Sequence, residues 1–160
     1  MKPTKLQIIQ YATDIHKFLT TPSRPVDVEY WLNSDMEMFQ NMVNNIKHTC
    51  VLARGLGLAA PQVGHQLFLI VLDGKVFNQD KMLCIINPTL KILNENKIIS
   101  EEYCLSFPSL PKLVARPEEV EVTGYDETLK QHITLVGKGL GARLICHEMN
   151  DLEGITLAQL

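Results

Sequence analysis

The chain has 160 residues, 46% of them hydrophobic and 21% charged, with a formal charge of -3; it is expected to form one globular domain over residues 1–160, built on a single sizeable core. The slightly acidic balance and the lack of any Lys/Arg cluster exclude a broad nucleic-acid or membrane surface, since such surfaces work through concentrated positive charge. No stretch is apolar for long enough to span a bilayer, and the cysteines stand singly at 50, 84, 104 and 146, as reduced thiols or metal ligands do.

Met1 to Thr21 mixes Lys, Gln, Asp and His among its apolar residues, so it lacks the apolar core of a signal peptide, and the cytoplasm is the expected location. Pro22, Pro25 and small polar residues favour an extended lead-in over a long helix in this opening segment. Ser34 followed by Glu37 is a capping-box signature, after which Phe39, Met42, Val43, Ile46 and Cys50 recur at helical spacing. That helix should stop near Arg54-Gly55, because glycine ends helices.

Next comes the small-residue loop GLGLAAPQ, Gly55 to Gln62. It reads either as a tight connection or as a place where backbone approaches a ligand, with Gln62 offering an amide. Strands are predicted at Gln66 to Leu72, Met82 to Asn87, Lys91 to Leu93, Lys97 to Ser100, Val120 to Tyr125 and His132 to Val136, with a polar turn around Asp126-Glu127. Between them sits Glu101 to Pro108, EEYCLSFP, where Cys104 is either a packed thiol or a ligand. Many short strands before one late helix predict an α+β fold, with short antiparallel or mixed strands packed around a buried C-terminal helix.

That helix should begin near Lys138 or Gly139. Its apolar residues Leu140, Leu144, Ile145, Cys146, Met149 and Leu152 go round most of the circumference, which predicts burial on nearly all sides. His147, Glu148 and Asp151 therefore need partners, and a metal ion is an efficient one. The pattern resembles the H-E-x-x-H helix of metallohydrolases, with Asp151 in the place of the second His and still on the same helix face as His147.

Taken in order, GLGLAAPQ, EEYCLSFP and HEMND resemble the three motifs of the peptide deformylases, G-x-G-x-A-A-x-Q, E-G-C-L-S and H-E-x-x-H. The resemblance extends over Ile86-Asn87-Pro88 and the Gly-rich approach to the last helix, from about Phe39 to Gly154. It implies a deformylase-like fold and an enzyme that removes the formyl group from the N-terminal methionine of new polypeptides. Cys104 and His147 match metal ligands, with Asp151 in the third ligand position; the implied ion is Fe(II), with Zn(II) or Ni(II) as substitutes. Glu148 matches the general acid and base. Gln62 and the backbone N–H of Leu105 match the groups that steady the formyl oxygen, and Leu56, Gly57 and Tyr103 fall where the family binds substrate. The implied partners are a formyl-methionyl peptide and a transient contact with the ribosome, for a monomer or weak dimer.

Two departures carry physical consequences. Aspartate is shorter than histidine and adds a negative charge, so a thiolate, a neutral imidazole and a carboxylate would bring a divalent ion to net zero, which predicts a weaker Lewis acid and relative preference for harder metals. Tyr103 stands where the family has glycine, which predicts a strained loop or a crowded cleft. Two other readings remain open from the sequence: a catalytically silent peptide-binding homologue in which Asp151 pairs with His147, and a thiol hydrolase with Cys104 as nucleophile and His147 as base.

Overall fold

Antiparallel pairing joins five strands in the order β1 (Gly57–Ala59), β2 (Leu69–Leu72), β3 (Leu83–Cys104), β4 (Phe107–Asp126) and β5 (Gln131–Lys138). The computed structural model describes residues 2–11, 17–128 and 130–160; residues 1 and 12–16, within the predicted extended lead-in, lie outside the described residues. β2 is buried at every position because the sheet is covered on both faces. Side chains alternate across a strand, so Leu69 and Val71 pack with Phe39, Val43 and Ile46 of α3 (Met36–Leu52). Ile70 and Leu72 pack instead with Leu144, Ile145 and Met149 of α4 (Leu140–Leu152). Continuous apolar runs such as LIVL are what a two-sided core requires.

Several expectations need correction. The strands from residue 83 onward are not short: β3 has 22 residues and β4 has 20, and the EEYCLSFP segment, expected to lie between strands, is the end of β3, a turn at Leu105-Ser106 and the start of β4. The sequence breaks this hairpin into fragments because its register shifts at four places, between Ile86 and Thr89, Ile92 and Asn94, Asn94 and Lys97, and Glu102 and Cys104; each shift resets the alternation of side chains. The opening segment also holds two helices, the short α1 (Lys17–Thr20) and α2 (Val28–Ser34). Asp27 caps α2, its Oδ1 accepting from Tyr30 N at 2.9 Å. Ser34 thus ends α2 and caps nothing; Asp35, with φ -154°, is the N-cap of α3 and makes no side-chain cap bond. At the other end, α3 stops at Leu52, and the left-handed residue after it is Arg54, with φ 57°, not Gly55.

The last helix starts at Leu140, as expected, and buries most of its circumference, although Leu140 itself is exposed. The lead-in has a structural role that its composition did not signal. Ile9 N donates to Gln62 O at 2.8 Å and Tyr11 N to Ser106 O at 3.1 Å, while Gln10 Nε2 donates to Leu105 O at 3.1 Å. This extended segment ties the small-residue loop to the tip of the β3–β4 hairpin, two of the three motif regions.

Candidate active site

Cys104 is the last residue of β3, and α4 crosses behind it with His147, Glu148 and Asp151 facing the same region. One donor atom from each of Cys104, His147 and Asp151 lies within 4.8 Å of the others. The Cys104 thiol approaches Asp151 Oδ2 at 3.9 Å, and His147 Nε2 is 3.9 Å from the same oxygen. These separations are too long for a strong direct pair, so Asp151 is not simply the buried partner of His147. A sulfur, an imidazole nitrogen and a carboxylate oxygen, all turned to one point, form a donor set that divalent transition ions accept.

The other ring nitrogen of His147 is held by a residue with no assigned role in the sequence reading. Nδ1 lies 2.9 Å from Glu102 Oε2. Glu102 is buried and its carboxylate is gripped by Arg116, with Nε to Oε1 at 2.8 Å and Nη2 to Oε2 at 2.9 Å, and by Arg143 Nη1 at 2.7 Å. Burial alone would raise the Glu102 pKa, but the hydrogen bonds from Arg116 and His147 hold it down, to about 2. An ionised carboxylate only accepts hydrogen bonds, so Nδ1 carries the proton toward Glu102 and Nε2 is directed at the donor cluster. Arg116 reaches further and donates to Asn150 Oδ1 on α4. The signal for this network was the doubled acid beside Cys104.

Glu148 is 3% exposed, and its Oε2 has no hydrogen-bond partner among the described residues. Burial pushes its pKa up to about 8, with the charges of Asp151 and Glu102 adding to the rise and His147 opposing it. Space for this carboxylate comes from Gly57: a Cβ there would sit 2.5 Å from Glu148 Oε1. The close approach anticipated for this loop is therefore to the protein's own carboxylate. Gln62, also buried, accepts from Ala59 N at 2.8 Å through Oε1. Its Nε2 points the other way, to Ser106 Oγ at 3.2 Å and Cys104 Sγ at 3.4 Å.

Residues 6–159 match the sequence profile of polypeptide deformylase. The chain belongs to the polypeptide deformylase family. A peptide deformylase of Thermodesulfovibrio yellowstonii is 40% identical over 127 residues, 79% of this chain and 74% of that protein; one from Lachnoclostridium phytofermentans is 37% identical over 114 residues, 71% and 68% of the respective chains. Among solved structures, the peptide deformylase of Synechococcus elongatus in complex with actinonin matches with a TM-score of 0.80 at 33% identity, covering 98% of this chain and 81% of the other. The Legionella pneumophila peptide deformylase gives 0.83 at 30% identity over 98% and 86%. The chain is thus a hydrolase of the metal-dependent deformylase type, with the α+β fold of that family.

The deformylase cleft has a volume of about 390 Å³. Gln62, Cys104, His147 and Glu148 line it, as do Leu56, Gly57, Tyr103 and Leu105, so the cleft gathers every residue singled out from the sequence except Asp151, which lies buried in the donor cluster beneath. Tyr103 needs correction in one respect. Its φ is not positive, so no backbone strain follows; the residue falls at the register shift beside Cys104 and is 68% exposed, its hydroxyl donating to Glu101.

The donor set fits the divalent ion the family implies. Burial raises the pKa of the Cys104 thiol and pushes Asp151 up to about 6. Burial would lower His147, yet hydrogen bonds with Cys104 and Glu102 and the charges of Glu148 and Asp151 raise it to about 11. Acidic groups thus crowd one imidazole, and proton retention on the cluster, with the nearby charge of Arg116, offsets them. A dication with thiolate and carboxylate ligands removes that imbalance. All four cysteines are free thiols, as their single spacing in the sequence predicts. Among the described residues, no helix is long and apolar enough to cross a membrane.

Proposed function

We propose that the chain hydrolyses the formamide of an N-terminal formyl-methionine, releasing formate and a free amine from newly made polypeptides. The observation that carries this reading is the convergence of the Cys104, His147 and Asp151 donors beside the Glu148 carboxylate, whose Oε2 has no hydrogen-bond partner among the described residues, at a cleft open to a peptide. Cys104, His147 and Asp151 would hold one divalent ion, Fe(II) by family resemblance, with Zn(II) or Ni(II) able to substitute. Such an ion supplies Lewis acidity and makes water a competent nucleophile near neutral pH.

The protein's own groups do the rest. Glu148, raised into the neutral range by burial, takes the proton of the attacking water and passes it to the departing amine. Gln62 Nε2 and the Leu105 N–H steady the carbonyl oxygen as charge builds on it; such donors are worth about 2.7–4 kcal/mol each in comparable enzymes. Glu102 fixes the His147 ring and its tautomer. Peptide binding uses the open edge of β1. Leu56 O accepts from Asp73 N at 2.7 Å, so the alternation of an antiparallel pair turns the N–H and C=O of Gly57 away from β2, toward the cleft. Transient docking on a ribosome, a cytoplasmic location and a monomeric or weakly dimeric state complete the proposal.

A thiol hydrolase is disfavoured because burial raises the Cys104 pKa and so depletes the thiolate. Formate release from a formyl-methionyl peptide tests the function. Chelation should abolish it and Fe(II), Zn(II) or Ni(II) should restore it, whereas activity that survives chelation but not thiol alkylation would reverse the assignment.

A further inference from the structure

We propose that Arg54 is a specificity-determining residue, selecting peptides that carry a carboxylate two or three residues beyond the formyl-methionine; this rests on the deformylase reading of the cleft. Arg54 lines the cleft. The cleft's other arginine, Arg143, is committed to Glu102 and to the carbonyls of Ile98 and Val114. Among the described residues, the Arg54 side chain has no hydrogen bond or ion pair. Its backbone also lies at φ 57°, a conformation that glycine adopts freely and a Cβ-bearing residue does not. The turn after α3 therefore carries a cationic side chain at a conformational cost, directly before the strand that would bind substrate.

The direction of the bound peptide follows from β1. Past Ala59 the chain turns into Ala60–Val63, which is buried, so a peptide pairing with Gly57 has room to leave only the other way, past Leu56 toward Arg54. That makes it antiparallel to β1. With roughly 3.3 Å per residue, three residues of strand span about 10 Å, which brings the second or third residue after the methionine level with Arg54. Glu101, which also lines the cleft, is occupied by the Tyr103 hydroxyl, and its charge disfavours an acid beside it. Selection for a carboxylate is therefore one-sided.

The test uses metal-loaded protein and C-terminally amidated formyl-methionyl tripeptides and tetrapeptides bearing Asp, Ala or Lys at the second or third position after methionine. A parallel arm with free C-termini distinguishes an acidic side chain from a terminal carboxylate. Asp should exceed Lys by about fivefold in kcat/KM, carried by KM, and the preference should shrink in about 0.5 M salt. Arg54→Lys should keep it, Arg54→Gly should lose it while raising the melting temperature, and Arg54→Glu should invert it. Equal kcat/KM across the charge series, or a preference unchanged in Arg54→Glu, overturns the proposal. If no peptide yields formate, the deformylase reading fails separately. Calorimetric affinities of the same peptides then decide the role of Arg54, and equal affinities sink it.

Discussion

Replacing Gly57 by alanine should disable the site by displacing its carboxylate. The added Cβ would lie 2.5 Å from Glu148 Oε1, 2.8 Å from Leu144 Cδ1 and 2.9 Å from Glu148 Cδ, all well inside contact distance. Both neighbours are packed, Glu148 being 3% and Leu144 8% exposed, so making room for the Cβ displaces them from the positions they hold at the cleft. Overpacking of this kind costs about 1–3 kcal/mol, which for a domain of this size lowers the melting temperature by roughly 2–4 °C per kcal/mol. A catalytic group misplaced by about 1 Å can lose on the order of 10²-fold in rate, so kcat for formate release should fall by about that factor while metal content stays at the parental level. In a Glu148→Ala background most of the clash is gone, and a double-mutant cycle should give a coupling of about 1 kcal/mol or more. Parental kcat and melting temperature in Gly57→Ala, or additive destabilisation in the cycle, would refute the claim that this glycine exists to seat Glu148.

Asp151→His removes one negative charge from the ligand set and should raise kcat/KM at neutral pH about tenfold or more through a stronger Lewis acid, with bound metal shifting toward zinc; an unchanged rate and metal content would mean that Asp151 does not ligate. Tyr103→Gly opens the cleft without relieving backbone strain, so turnover of longer formyl peptides should rise and stability should stay level, as read by steady-state kinetics and thermal melting. Glu102 ties stability to acid. Its folded-state pKa near 2 lies below the ordinary 4.5, so the unfolded chain binds the extra proton between those values. The contribution is complete above about pH 4.5 and is lost as pH falls toward about 2. Glu102→Gln, which leaves Arg116 and Arg143 without their buried carboxylate, should cost several kcal/mol at pH 7 and much less at pH 3 in urea unfolding; an equal gap at both values would contradict the ionised assignment.

The sequence singled out Cys104, His147, Asp151 and Glu148, which the structure brings together, because each lies in a short motif that is legible out of context: a lone cysteine in the EEYCLSFP segment, and His147, Glu148 and Asp151 on a helix too apolar to face water. It also carried α3 and α4, whose stripes are long enough to show a period. What stayed hidden depends on register. Glu102 meets Arg116 only because β3 and β4 fold back on each other, and four shifts along that hairpin erase the alternation that would have revealed one long ribbon. The lead-in acts through backbone bonds from Ile9 and Tyr11, which leave no mark on residue type. The role of Gly57 was legible only as a need for space, since nothing in the loop names Glu148 as the occupant. At Arg54 the sequence favoured the glycine beside it for the left-handed turn, and the structure places the arginine there instead.

X-ray absorption at the edge of the bound metal tests the central claim most directly. One divalent ion per chain, with one sulfur and a remaining shell of nitrogen and oxygen in the parental protein, and loss of the sulfur scatterer in Cys104→Ser, is the result expected of a site made by Cys104, His147 and Asp151. A chain that carries no tightly bound metal, or a metal spectrum without sulfur, would contradict it.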